Sequence, residues 1–137
     1  MNKLLMATAA VVAMAGTAQA EECLQYGKTV TLSGTMSMHK ANFRNVVPWR
    51  DFRYAVLTLD TPICAAGDDE ETERGVRNLH VFEEEKCDHR TWPRGAKAQI
   101  SGVLWHANTV AHQTPVLITP QQGQVRRLNG PTPTCKG

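Results

Sequence analysis

Hydrophobic and polar residues alternate along several short stretches of the chain, which is the pattern of β-strands with one buried face. The first stretch covers residues 27–38, where Val30, Leu32 and Met36 alternate with Thr and Ser. Gly34 interrupts it at an inward-facing position, where glycine is typical of a bulge or a sharp bend. This stretch therefore predicts a bent strand.

The same pattern recurs at residues 95–105. When this stretch is aligned with the first, Gly102 takes the place of Gly34, and Ile100 takes the place of Leu32. Two strands that bend at the same step are what a closed or nearly closed sheet requires. The pair of stretches therefore favours a small barrel.

Three more strands are predicted at residues 54–60, 75–82 and 115–119. Between the third and fourth strands, residues 83–88 have helical composition, and Pro93 and Gly95 end that segment. Three strands, a short helix or loop and two strands are the layout of the oligonucleotide- and oligosaccharide-binding (OB) barrel. We therefore expect a mainly β domain with a five-stranded OB-like barrel; a small sandwich or a roll is the alternative.

The first 20 residues have the features of a secretion signal: Lys3 near the start, an apolar run at residues 4–15 and small residues at 18–20. Cleavage after Ala20 would leave a single domain at residues 21–137. Its formal charge would be +1, because Lys3 is lost from a chain of net charge +2. No later apolar run approaches the roughly 18 residues that span a bilayer. We expect an exported periplasmic protein without a membrane anchor, and the near-neutral charge disfavours nucleic acid as a partner.

All four cysteines, Cys23, Cys64, Cys87 and Cys135, follow the predicted signal. An even number of cysteines in an exported domain favours two disulfides. Zinc is the competing use, but no two cysteines have the close spacing of structural zinc sites. Of the three pairings, we favour Cys23 with Cys64 and Cys87 with Cys135, because each closes a loop of roughly 40 to 50 residues.

Residues 105–118 contain Trp-His-Ala, then a second histidine, and then Thr-Pro-Val-Leu. Together with residues 23–26, 27–34 and 59–69, this segment resembles an exported bacterial family catalogued as domain of unknown function 4431. The activity of that family is uncharacterised. The resemblance implies an exported protein of this fold and lends no chemistry.

Two histidines, His106 and His112, flank the turn between the last two predicted strands, which lies beside the binding face in OB-like barrels. Two imidazoles across a hairpin could share a divalent metal ion, with His39 as a third ligand. The simpler interpretation is that these histidines hydrogen-bond the backbone and hold the turn. A third interpretation is that they face a ligand together with Trp105. No other cofactor is expected.

The long first loop, residues 39–54, mixes four aromatic residues with four cations. Aromatic faces beside Arg and Lys are suited to sugars or to anionic ligands. Arg44, Trp49 and Arg50 are the first candidates for such contacts. The alternative is that the aromatic residues cover one end of the barrel while the cations remain solvated.

An acidic run at residues 68–71 is followed closely by Glu73. Clustered carboxylates can bind calcium, but this run lacks the alternating oxygen ligands and the glycine of a calcium loop. We interpret it as a solvated turn.

Motifs of catalysis are missing from the sequence: it has no Gly-x-Ser-x-Gly elbow, no His-Glu-x-x-His and no phosphate loop. A binding module is therefore favoured over an enzyme, and no catalytic residue is selected. We expect a module that binds a small glycan, an anionic ligand or an envelope protein through the first loop and the turn at residues 106–114. The alternatives are a metal-binding envelope protein that uses His106, His112 and His39, and an inhibitor or immunity protein for a secreted enzyme.

Overall fold

A computed structural model describes residues 22–40, 53–82, 92–109 and 111–133, with the backbone alone at positions 122 and 123. These residues form strands, turns and loops and contain no helix, so the prediction of a mainly β fold is confirmed. The predicted signal, the predicted short helix, Cys87 and Cys135 lie outside the described residues. The six strands are β1 (Leu24–Gln25), β2 (Thr29–Lys40), β3 (Arg53–Ala66), β4 (Glu73–Val81), β5 (Ala96–His106) and β6 (Val116–Arg127).

The five long strands form a ring of backbone pairings. β2 lies between β3 and β5, β6 lies between β5 and β4, and β4 pairs again with β3. The β4–β6 pairing is parallel, and the other pairings in the ring are antiparallel. Each long strand therefore has two neighbours, and the short β1 adds a parallel pairing at the end of β3.

Gly34 and Gly102 lie where the backbone of an adjacent strand approaches closely. β2 pairs with β5 along its first half and with β3 along its second half, and the two pairings overlap from Gly34. A Cβ atom at Gly34 would clash with the carbonyl oxygen of Thr58, and one at Gly102 would clash with that of Thr119. The ring leaves no room for a side chain at either position.

The interior of the ring is apolar, as the alternation in β2 and β5 predicts. Along β5, the even-numbered residues from Ala96 to Leu104 are buried, and the residues between them are exposed or half-buried. The largest fully buried residues of the interior cluster are Met36, Leu57, Leu79, Ile100, Leu104, Val116 and Ile118. This inner core holds the five long strands around one centre.

Strands β3 and β6 are longer than the predicted ones. β6 continues past residue 119 to Arg127 through a Gln-rich stretch, and its register with β5 shifts between Ile100 and Gly102. Val125, Arg126 and Arg127 pair with β5 through the backbone, and Val125 is the one hydrophobic residue among residues 121–127, so this half of the strand carries no alternating apolar signal. This is why residues 115–119 alone were recognisable as a strand.

A disulfide joins Cys23 to Cys64, which confirms the first of the two favoured pairings. It fastens β1 beside the end of β3, where the backbone N–H of Tyr26 also donates to the carbonyl of Ala66 at 2.9 Å. A loop of this length contributes about 4 kcal/mol on the chain-entropy model. The bond fits an exported protein in an oxidising compartment.

The described residues contain no helix that is both long and apolar enough to cross a bilayer.

Candidate functional site

One row of side chains crosses the outer face of all five long strands. Its members are cross-strand partners in turn: Ser37, Val56, His80, Leu117 and Trp105. Partners directly opposite each other share a face of the sheet. Their neighbours along each strand, such as Leu79 and Val81 on β4, belong to the inner core. The row therefore lies outside the ring.

Three members of this row are buried although they point away from the core. The exposed fraction is 4% for Val56, 2% for His80 and 0% for Leu117. The β5–β6 turn, of which residues 107–109 and 111–115 are described, is hydrogen-bonded to this part of the sheet. We call these three residues, together with Tyr54, Phe82, Trp105 and His112, the outer cluster.

Aromatic and imidazole rings make up most of the outer cluster. His80 contacts Tyr54 at 4.9 Å and Phe82 at 5.8 Å between ring centroids, and Tyr54 in turn lies 5.7 Å from His39. Such tilted and edge-on arrangements are the favoured geometry of aromatic pairs. These contacts belong to a strip of aromatic and imidazole rings formed by His39, Tyr54, His80, Phe82, His112 and Trp105, which we call the ring-lined strip. This part of the strip runs from the end of β2 to the end of β4.

Trp105 lies at the other end of the strip. Its ring is perpendicular to that of His112 at 4.4 Å and to that of Phe82 at 5.3 Å. The indole Nε1–H donates to the Thr119 hydroxyl at 2.8 Å, which fixes the ring against β6. Of the predicted ligand-binding residues, Trp105 and His112 are thus brought together.

The β5–β6 turn is held to β4 at His80. The backbone N–H of Gln113 donates to Nδ1 of His80 at 3.3 Å. The backbone N–H of His80 donates to the Thr114 hydroxyl at 2.8 Å, and that hydroxyl donates to the Val116 carbonyl at 2.7 Å. Burial lowers the pKa of His80 to about 4, and the nearby His112 adds to the effect. At neutral pH the ring is therefore neutral and can accept at Nδ1.

His112 shapes the turn from within. Its Nδ1 accepts the backbone N–H groups of Asn108 at 3.0 Å and Thr109 at 3.2 Å. Burial also lowers the pKa of His112, which favours the neutral ring that these bonds require. The side chain of His112 thus hydrogen-bonds the backbone and holds the turn.

His106 lies in different surroundings. Its Nδ1 donates to the Ala107 carbonyl at 3.0 Å, and its Nε2 lies 3.1 Å from a carboxylate oxygen of Glu73. The ligand atoms of His106, Glu71 and Glu73 all lie within 4.8 Å of one another. The Tyr26 ring is 5.8 Å from that of His106, and burial together with Glu73, Glu70 and Glu71 raises the pKa of Tyr26 to about 12.

The three histidines of the sequence-based metal hypothesis are placed apart. In the described part of the chain, the one group of three metal-ligating side chains is Glu71, Glu73 and His106. His112 contacts Trp105, whereas His39 contacts Tyr54 and hydrogen-bonds Ser37. Arg44, Trp49 and Arg50 lie outside the described residues.

A pocket of about 390 Å³ lies beside His39. Ser37, Met38, Trp92 and Arg94 line the rest of it. The pocket therefore borders the strip of rings at the end of β2 and brings a cation to it.

His80 is the central residue that the sequence analysis missed. Because His80 lies between Leu79 and Val81, which face the inner core, alternation places its side chain on the outer face. Alternation gives no reason for that side chain to be buried. A signal was present in β3 and β6, where Val56 and Leu117 stand inside short, continuous apolar runs. Such runs are typical of strands that are buried on both faces, which is how these two strands lie at the outer cluster.

Comparison with known proteins finds no significant match to a protein-family model, to a curated protein or to a solved structure. The resemblance to the exported family of uncharacterised activity stays a prediction.

Proposed function

We propose that the protein is a periplasmic binding module built on an OB-like barrel, and that its ligand site is the outer cluster with the loops on either side. The closed ring of pairings among five long strands supports the OB-like assignment. The Cys23–Cys64 disulfide supports an exported location.

The observation that carries this proposal is the position of the ring-lined strip. One end, at the cross-strand pair His39 and Tyr54, is the base of the first long loop. The other end, at Trp105 and His112, is the β5–β6 turn. In OB-like barrels the binding face lies between these same two loops.

The ligand class follows from the chemistry of the strip. Tyr54, Phe82, Trp105 and His112 are half-buried, so each keeps part of its ring accessible to a ligand. Arg94 in the adjacent pocket supplies positive charge. Rings beside cations suit a small glycan that carries carboxylates, such as a fragment of the bacterial cell wall.

Nuclear magnetic resonance (NMR) titration with soluble cell-wall fragments tests this proposal. We expect the backbone amides of Tyr54, Phe82 and Trp105 to shift, and Trp105→Ala to weaken binding by at least about tenfold. Gln99→Ala is the matched control, because it changes the same face of β5 six residues before Trp105. Shifts confined to other parts of the sheet, or equal binding by both variants, would contradict the assignment. Binding of an envelope protein in place of the glycan would keep the site but change the ligand class.

A metal-binding role is the second candidate, and its residues are Glu71, Glu73 and His106. The hydrogen bond from Nδ1 to the Ala107 carbonyl turns Nε2 of His106 towards Glu73. This arrangement is the usual way in which proteins orient a histidine ligand. Calorimetry with zinc tests it: Glu73→Gln and His106→Gln should each remove the binding heat, and His39→Gln should not. An absence of heat at micromolar zinc in the unmodified protein would rule the site out.

A further inference from the structure

Three backbone N–H groups of the β5–β6 turn donate hydrogen bonds to unprotonated histidine nitrogens. Gln113 donates to Nδ1 of His80, while Asn108 and Thr109 donate to Nδ1 of His112. The bond to His80 fastens the turn to β4, and the bonds to His112 keep the turn folded. Both attachments therefore use a nitrogen that can take up a proton.

Protonation reverses the role of each of these nitrogens. A neutral imidazole offers one acceptor nitrogen, whereas both nitrogens of an imidazolium are donors. Because backbone N–H groups cannot accept, a proton on Nδ1 of His80 or His112 would face a donor at about 3 Å. The three bonds are then lost, while the bond from the backbone N–H of His80 to the Thr114 hydroxyl does not titrate and remains as a pivot.

Most of the described groups that face the two histidines are aromatic rings. Phe82 contacts both rings, at 5.8 Å from His80 and 5.7 Å from His112. The groups that face the two rings from the packed elements are Tyr54 of β3, Phe82 after β4, Trp105 of β5, Leu117 of β6 and Thr114 of the turn, with His39 of β2 behind Tyr54. Among these described groups there is no carboxylate, and the other group that can become positively charged beside His80 is His112.

We propose that the β5–β6 turn is a pH-sensitive latch over the outer cluster, closed by neutral His80 and His112 and released when acidification protonates them. Release would uncover His80 and Leu117 and change the shape of the ring-lined strip. The statement that the uncovered face binds a ligand rests on the proposed function. The latch itself is defined by hydrogen bonds within the chain.

The direction of the two pKa values agrees with this geometry. Burial lowers the pKa of both histidines, so the latch stays closed at neutral pH. It should begin to open below the ordinary histidine pKa of about 6.5. A loop that opened near pH 8 would need the opposite shifts.

NMR spectra of the ¹⁵N-labelled protein between about pH 7.5 and pH 4 test the latch without any ligand. We expect the amide resonances of Asn108, Thr109 and Gln113 to move on acidification with midpoints below about 6.5. The amides of Ile100 and Leu104 in the inner core report on the remaining fold and should keep their positions. Movement of all five amides in one transition would be global unfolding and would contradict the proposal.

The matched variants are His80→Asn and His112→Asn. The asparagine side-chain oxygen occupies nearly the place of Nδ1 and accepts a hydrogen bond but does not titrate in this range. The double variant should lose the acid transition, and His39→Asn should retain it. If the double variant does not fold, His112→Asn alone should abolish the movement of Asn108 and Thr109 and leave that of Gln113.

An unchanged acid transition in the asparagine variants would overturn the latch, as would ring protonation with the three amides unmoved. Neither result depends on glycan binding, so failure of the latch and failure of the proposed function are separate outcomes.

Discussion

The inner core and three residues of the outer cluster, Val56, His80 and Leu117, are buried to a similar extent but differ in their chemistry. Leu57 and Ile100 inside the ring have 0% exposure, and so does Leu117 outside it, while His80 has 2%. The inner cluster of the described residues is apolar throughout, whereas the outer cluster encloses an imidazole that accepts a backbone hydrogen bond. Burial alone therefore does not separate the scaffold from the candidate site. What distinguishes the candidate site is a buried polar group, the imidazole of His80, that needs a hydrogen-bond partner.

This difference also governs how the two regions respond to conditions. The inner core is stabilised by removal of apolar surface from water, which does not change with the protonation of a side chain. The outer cluster depends on neutral imidazoles, because its hydrogen bonds need unprotonated nitrogens. Acid should therefore weaken the outer cluster before it affects the inner core.

The largest effect is expected for truncation inside the ring. Leu57→Ala should reduce the free energy of unfolding by about 4 kcal/mol, because it removes buried methyl groups and leaves a cavity in a closed ring. Urea denaturation measures this loss. The adjacent Thr58→Ala, on the exposed face, is the control and should cost less than about 1 kcal/mol. Similar losses for the two variants would mean that the ring does not enclose a distinct core.

The next effect is the acid dependence of the outer cluster. The unfolded chain has a histidine pKa of about 6.5, and the folded chain holds the pKa of His80 at about 4, so the unfolded state takes up the proton first. The free energy of unfolding should fall by about 3 kcal/mol between these pH values and level off below the lower one.

Urea denaturation at a series of pH values measures this loss. His80→Asn should show a shallower decline than the unmodified protein, and His39→Asn should follow the unmodified protein. Parallel curves for the unmodified protein and His80→Asn would place the acid sensitivity elsewhere.

A smaller effect is expected at the two glycines of the ring of strands, Gly34 and Gly102, where a neighbouring strand lies close. Gly34→Ala should destabilise the protein by about 2 kcal/mol, because a Cβ atom there would meet the backbone of Thr58, which cannot move aside like a side chain. Gly102→Ala should behave alike at Thr119. Ser33→Ala, next to Gly34 on the opposite face, is the control. A thermal melt in which Gly34→Ala matches Ser33→Ala would show that the close approach is not required.

The smallest effect is expected at His106, which belongs to neither region. Its ion pair with Glu73 is partly exposed, with 22% and 27% of the side chains accessible. Such pairs contribute at most about 1 kcal/mol. His106→Gln should therefore leave the thermal midpoint nearly unchanged. A large loss would mean that Glu73 becomes an uncompensated charge and that the pair supports the fold.

Alternation was sufficient to predict the parts of the fold where a strand has one dry face. This holds for β2 and β5, and the register shift between Ile100 and Gly102 lies at one of the two glycines predicted to mark a bulge or a bend. It fails for the second half of β6, where Val125 is the one hydrophobic residue among residues 121–127 and backbone pairing with β5 defines the strand. The disulfide between Cys23 and Cys64 was predictable from the expected compartment and from the loop length, because neither depends on knowing the fold.

The candidate site was predictable only as a region. The sequence indicated the turn with His106 and His112, but the two side chains lie in different surroundings: His112 in the outer cluster and His106 beside Glu73. Alternation says which face a residue occupies and not what covers that face. The burial of His80 depends on a turn more than thirty residues away, which no local pattern contains.

The parallel β4–β6 pairing has a consequence for how the chain reaches its native state. β6 is the last strand in sequence, and it alone closes the ring between β4 and β5. Until it arrives, both of those strands present unpaired edges, which are templates for association with other chains. The β2–β5 pairing also joins distant parts of the chain, as with Thr29 and Val103. So many long-range pairings predict folding in milliseconds to seconds, and a chain that ends before β6 should aggregate.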